Sequence, residues 1–269
     1  VEDPDPQRLL DVAVHAARVG ADLLRAGMLV ARTQVTTKTS ATDMVTEMDR
    51  ASEDAILEVV LDERPDDSIV AEEGSTREGT TGVRWVIDPL DGTTNYLYRH
   101  PGFAVSIAAA YGGEVVAGAV LDVVHDELFT ATRGGGAHCN GSPIACSTKD
   151  DLATALISTG FGYDPQRRAW QARQLVSLLP RVRDIRRMGA AAVDLCSVAC
   201  GRVDAYFERG LAEWDLAAGW LIAGEAGALV SAIEGGPPRA GSLVAAAPGI
   251  FEPLRALIRE AEAAAGPEV

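Results

Sequence analysis

Asp88-Pro89-Leu90-Asp91-Gly92-Thr93-Thr94-Asn95 is the octet on which the reading of this 269-residue chain turns. It gathers two carboxylates, a free backbone carbonyl and two hydroxyls in one place. The run before it, Arg84-Trp85-Val86-Ile87, is apolar and rich in β-formers, so the octet begins where a buried strand emerges. Pro89 cannot donate to a sheet ladder and is expected to stop that strand, while Gly92 permits a tight turn ahead of Thr93. Asp88 and Asp91 facing one cleft would repel each other unless a cation neutralised them, and Mg2+ is held by such carboxylates together with phosphate oxygens and water. If a helix starts at Thr93, the amides of Gly92 and Thr93 face outward and form an anion cradle. The competing account is a surface turn built on the Asp-Gly pair.

Two further acidic elements join the octet. Ser68-Ile69-Val70-Ala71 reads as a short buried strand that delivers Glu72-Glu73-Gly74 at its carboxyl end, where open sheets place ligand-binding groups. Alone, that pair would read as a solvated turn. Glu213-Trp214-Asp215 opens a strongly apolar stretch running to Ala223, and Asp215 there reads as a helix N-cap whose second oxygen remains available to a metal.

With these residues in view, the chain resembles the inositol monophosphatase family, Mg2+-dependent and lithium-sensitive phosphatases. One family signature is similar to Trp85 through Asn95 and a second to Trp214-Asp215 through Gly227; the upstream acidic pair matches Glu72-Glu73. The segment Lys38 to Asp49 and the turn Gly189-Ala190-Ala191-Ala192 also resemble family segments, and the likeness runs from about Leu9 to Pro248. The resemblance implies that Glu72, Asp88 and the Leu90 carbonyl bind a first Mg2+, that Asp88, Asp91 and Asp215 bind a second, and that a third, looser ion leans on Glu72. It implies that Thr93, oriented by Asp49, holds the attacking water and that the Gly92 and Thr93 amides receive phosphate oxygens. Gly189, Ala190, Ala191, Asp91, Glu208 and Asp215 are expected beside the substrate, with Asp91, Ala191, Glu208 and Asp215 facing its alcohol portion. The expected reaction is in-line attack by water without a phosphoenzyme. The family commonly has Ser or Thr where Ala190 stands, so a hydroxyl that would touch phosphate or substrate is missing here. Asp194 reads as a helix-surface charge.

Composition agrees with a globular enzyme: 47% hydrophobic residues suffice for a large core or two lobes, and no apolar run approaches the roughly 20 residues of a membrane helix. The acidic start Val1-Glu2-Asp3-Pro4-Asp5 is unlike a signal peptide, and the cytoplasm is the expected compartment. A net charge of −15 argues against a nucleic-acid groove. The basic run Arg181 to Arg187 is expected to line a dimer surface or the rim of the site; a homodimer is implied only by the resemblance. Cys139, Cys146, Cys196 and Cys200 show no C-x-x-C spacing and read as reduced, and the scattered histidines support no triad.

Along the chain, helices are expected over Gln7 to Met28 and Glu47 to Leu61, then an antiparallel meander of Ala104–Tyr111, Val115–Val123 and Leu128–Thr132 turning at Gly112-Gly113. From Ala155 strands and helices alternate, which favours an α/β layer. The expected organisation is an N-terminal α+β lobe over 1–147, with most of the metal ligands, and a C-terminal α/β lobe over 148–269 contributing Asp215 and substrate contacts. The resemblance implies a two-lobed, alternating α-β-α-β-α layered sandwich. Myo-inositol 1-phosphate is the expected substrate, since Glu208 and Asp215 are present where a polyol would be gripped. Fructose 1,6-bisphosphate, histidinol phosphate and 3′-phosphoadenosine 5′-phosphate stay open on the same metal core. Haloacid-dehalogenase-like phosphatases, with D-x-D-G-T, are the competing enzyme class, but here the aspartates stand three apart with Pro89 between them. A non-catalytic interaction protein of the same fold is the competing reading from another class.

Overall fold

Asp5 starts the first helix, α1 (Pro6–Gly27), by accepting from the Gln7 amide at 3.0 Å, and Pro6 occupies a position where no amide is needed. Of the stripe expected on this helix, Leu9, Val12, Ala13, Ala16, Gly20 and Leu24 are buried and Leu23 is half-buried. The computed structural model describes residues 3–28, 35–37 and 44–268, with side chains undescribed in 35–37 and 44–46. Residues 38–43 of the segment expected before the second helix therefore lie outside the described residues. The flanking pair β1 (Val35–Thr37) and β2 (Met44–Thr46) is antiparallel, and α2 (Glu47–Glu63) follows at once.

The first large sheet has eight strands: β3 (Ser68–Ala71), β4 (Thr76–Arg77), β5 (Val83–Asp91), β6 (Ala104–Tyr111), β7 (Glu114–Asp122), β8 (Glu127–Thr132), β9 (Ala137–Cys139) and β10 (Ser142–Pro143). Their spatial order is β10-β9-β8-β7-β6-β5-β3-β4, antiparallel except where β3 and β5 run parallel. The meander falls where the sequence placed it. Asn140 and Gly141, both at positive φ, make the two-residue turn between β9 and β10. One expectation fails: Pro89 does not stop its strand. β5 continues to Asp91, and the register with β6 shifts between Asp88 and Asp91, so the proline sits in a bulge where no ladder donor is required. Its carbonyl instead accepts from the buried Ser52 hydroxyl at 3.0 Å. A short helix α3 (Thr93–Tyr98) follows.

The second sheet, β11 (Leu156–Thr159), β12 (Asp184–Arg186), β13 (Ala205–Arg209), β14 (Leu229–Ser231) and β15 (Ser242–Ala246), has the order β12-β11-β13-β15-β14, with β11 parallel to both its neighbours. The helices are α4 (Pro165–Leu178), α5 (Ala191–Ala199), α6 (Glu213–Glu225) and α7 (Phe251–Ala265). Three apolar cores tie these layers together. α1 and α2 cover the outer face of the first sheet. α5 and α6 fill the space between the sheets, which explains why both helices are nearly all apolar rather than striped. α4 and α7 close the far face of the second sheet. The result is the α-β-α-β-α sandwich, and no described helix is long and apolar enough to cross a membrane.

Candidate active site

β3, β5, β11 and β13 all end at one cavity of about 480 Å3 between the two sheets. Open sheets place ligands at the carboxyl ends of their strands, and here two sheets do so toward each other. Glu72, Asp88, Leu90, Asp91, Gly92 and Thr93 line it from the first sheet. Gly189, Ala190, Ala191, Glu208 and Asp215 line it from the second half of the chain. Asp49 does not line the cavity; it sits directly behind, fully buried, and accepts the Thr93 hydroxyl at 3.0 Å. The octet, its upstream acid and residues more than a hundred positions later are thus brought together.

Local geometry fixes each group. Asp88 folds back so that one oxygen accepts the Leu90 amide at 3.0 Å. Gly92 adopts φ 90°, and a Cβ there would stand 3.0 Å from the Gly102 carbonyl oxygen and 3.1 Å from the Ala190 Cβ, so the turn needs glycine twice over. Thr93 follows as the first residue of α3, its hydroxyl also 3.3 Å from the Leu90 carbonyl oxygen. Asp91 reaches across to the second half of the molecule, where its two oxygens accept the Ala191 amide at 3.2 Å and the Ala192 amide at 2.7 Å. It supplies the cap that Ala190, at the N-cap of α5, cannot. Asp215 is not the N-cap expected for α6. It is the third helical residue and turns back to accept the Ala212 amide at 2.6 Å.

The electrostatics of this end are one-sided. Burial holds the Asp88 carboxyl well above the usual carboxylate range, and Glu72, Asp91 and Asp215 push it the same way. Burial likewise raises Asp91 to about 7 against the pull of the Ala192 and Ala191 amides. Glu208, raised to about 7 chiefly by burial, accepts the Tyr206 hydroxyl at 2.7 Å. Among the described residues no group of three or more His, Cys, Asp and Glu side chains is placed so that it could hold a metal ion as it stands. The donor set nonetheless suits a hard divalent cation: all oxygen, mutually repelling and facing one cavity.

Sequence reasoning missed several groups. Arg167, Arg209 and Tyr163 line the cavity. Of the basic run, Arg187 alone reaches the site, while Arg181 pairs with Glu260 and Arg186 with Asp184 on the surface. Gly160 carries the Glu208 carboxylate so closely that a Cβ would lie 1.8 Å from Oε2. Asp194 is a correction: it is 1% exposed, not a surface charge, and burial holds its carboxyl well above the usual range. Its neighbour in sequence, the all-apolar face of α5, gave the clue, since a helix buried all round leaves no solvent side.

The inositol monophosphatase family model matches residues 5–263. "Nus factor SuhB" of Pasteurella multocida is 44% identical over 91% of this chain and 94% of that protein. "Inositol-1-monophosphatase SuhB" of Mycobacterium tuberculosis is 42% identical over 96% of this chain and 95% of that protein. The crystal structure of the extragenic suppressor protein suhB of Bartonella henselae superposes with a TM-score of 0.90 at 36% identity, covering 94% of this chain and 99% of the other.

Proposed function

This chain belongs to the inositol monophosphatase family, and from that premise we propose that it is a Mg2+-dependent, lithium-sensitive phosphatase that releases phosphate from myo-inositol 1-phosphate and related polyol monophosphates. The enzyme class, phosphoric monoester hydrolase, is that of the family and of its inositol-1-monophosphatase relatives. The finer reading is carried by one observation: buried acids that raise one another's pKa share a cavity with the Gly92–Thr93 turn.

In this proposal Glu72, Asp88 and the Leu90 carbonyl hold one Mg2+, Asp88, Asp91 and Asp215 a second, and Glu72 supports a looser third. Bound there, the ions neutralise the phosphate and make water a better nucleophile. The chain's own residues do the positioning. The Thr93 hydroxyl donates a hydrogen bond to Asp49, which leaves its lone pairs to accept a hydrogen bond from the attacking water and so orient it. The Gly92 and Thr93 amides face phosphate oxygens. Glu208 and Asp215 accept from substrate hydroxyls, beside a wall of Gly189, Ala190 and Ala191 that is open because Ala190 brings no hydroxyl. Homodimerisation belongs to the same proposal and is checked by light scattering.

The test is a comparison of phosphate release from myo-inositol 1-phosphate, fructose 1,6-bisphosphate, histidinol phosphate and 3′-phosphoadenosine 5′-phosphate in Mg2+, with and without Li+. Myo-inositol 1-phosphate is expected first and inhibited by Li+; a clear preference for the adenosine compound overturns the substrate. A second reading, a role exercised by the outer surface, rests on the name Nus factor SuhB of the P. multocida relative. It predicts that the cell's need for this protein survives Asp88→Asn, whereas the phosphatase reading predicts that it does not.

A further inference from the structure

Three arginines line the cavity, and their counter-ions differ. Arg209 is only 16% exposed and tied to Glu262 by two hydrogen bonds, with Glu234 as a further partner. Arg187 acts on the buried acids Glu208 and Asp194, lowering both against their burial. Arg167 is different. Its counter-ion, Glu268, comes from the segment after α7 and is 35% exposed.

That pairing is built by a whole helix face. Arg167, Trp170 and Arg173 stand at i, i+3 and i+6 on α4, a spacing that puts them on one side. Trp170 Nε1 donates to the Gly266 carbonyl at 2.8 Å and Arg173 Nε to the Ala265 carbonyl at 3.0 Å. Glu268 is thereby delivered to Arg167, whose Nε and Nη2 lie 2.6 and 2.5 Å from one carboxylate oxygen, Oε1. The arginine stem crosses Gly162, where a Cβ would stand 2.7 Å from its Cδ, and the guanidinium lies over Gly210, where a Cβ would stand 2.0 Å from Nη1. The head is therefore held at the cavity wall by backbone on two sides while its partner remains open to solvent.

We infer that Arg167 is a specificity-determining residue, taking up an anionic group that a substrate carries besides the phosphate being cleaved, and that Glu268 is the exchangeable carboxylate occupying it meanwhile. A partly exposed ion pair contributes little and exchanges readily, whereas a planar guanidinium held in place is a good match for a phosphate. Both ends of the exchange lie at the same wall. A substrate with a single anionic group leaves Arg167 with Glu268; one with two displaces Glu268. The inference rests on the phosphatase reading and adds a discrimination between substrate classes.

The test compares kcat/KM for fructose 1,6-bisphosphate with that for myo-inositol 1-phosphate in wild type, Glu268→Gln and Arg167→Gln. Glu268→Gln should raise the bisphosphate-to-monophosphate ratio by about threefold to tenfold through KM, and Arg167→Gln should lower it by about tenfold. In the double variant Glu268→Gln should no longer act. Equal changes for both compounds, or a ratio unmoved in either variant, would overturn the inference. Calorimetric titration of fructose 1,6-bisphosphate into the same proteins with Mg2+ withheld reads the same difference without turnover. If wild type hydrolyses none of the four compounds, the substrate proposal fails, while a bisphosphate affinity unaltered by Arg167→Gln overturns this inference separately.

Discussion

Two acidic regions meet at the end of β13, one at Glu208 and one at Arg209, and although burial pushes both toward the neutral form their pKa values move in opposite directions. At the edge of the second sheet, burial works against ionisation of Glu234, yet the Ser242 hydroxyl and Arg209 outweigh it and the pKa falls to about 2. Glu262 shares the same arginine through two hydrogen bonds. In the cavity, Asp88, Asp91 and Glu208 all move upward, chiefly because burial is not outweighed, and neighbouring carboxylates push the same way. Arg209 helps to outweigh burial at Glu234, whereas Arg187 only moderates it at Glu208. Carboxyls that ionise only at a cost inside a fold are characteristic of functional sites, and in the proposal above a bound cation would offset that cost.

The comparison breaks most sharply at Asp88. Asp88→Asn should lower kcat in Mg2+ by about a thousandfold or more, while the metal-free protein melts no lower than wild type because a strained buried charge has been removed; near-normal turnover would refute the metal assignment. The next largest effect is on pH. Asp91 and Glu208 have folded pKa values of about 7, above ordinary carboxylates, so between pH 4 and 7 the folded protein binds more protons than the unfolded one. Stability without metal should therefore be greatest at the acidic end of that window and fall by about 2–4 kcal/mol as pH rises through it. Mg2+ should restore it above pH 7, as followed by urea denaturation with and without the ion.

Removing the Thr93 hydroxyl sharpens the picture of water positioning. Thr93→Val should cost about tenfold to a hundredfold in kcat, with a smaller change in KM and the fold intact by circular dichroism. The smallest effect belongs to the neutralised region. Glu262→Gln should cost about 1–3 kcal/mol of stability, since it loosens a partly buried arginine, and should leave turnover of myo-inositol 1-phosphate near that of wild type.

Much of this architecture was legible in sequence because local signals agreed with tertiary placement. The alternation from Ala155 onward, the apolar stripe of α1 and the glycine turns each describe residues whose neighbours in sequence are also their structural frame. The octet was legible for the same reason: strand, turn and helix start are contiguous. What escaped was long-range. Pro89 looks like a strand terminator until the bulge against β6 and the Ser52 hydroxyl are seen to satisfy its surroundings. Asp194 looks like a surface acid until the second sheet covers α5. Arg167 gives no local hint of a cavity, since its place there depends on glycines 5 residues before it and far beyond it, and on a segment near residue 268. The cap geometry of Asp215 shows the same limit: the N-cap is Ala212, three residues earlier than the Asp signal suggested.

Asp91 sits on the last rung of β5 yet grips the leading amides of α5, so a single carboxylate rivets the two halves of the protein. Electron density drawn from those oxygens toward an arriving cation is density taken from the rivet. If the proposed cation binds Asp91, loading the pocket and easing that rivet become one thermodynamic event, and amide hydrogen exchange at Ala191 and Ala192 should quicken on addition of Mg2+.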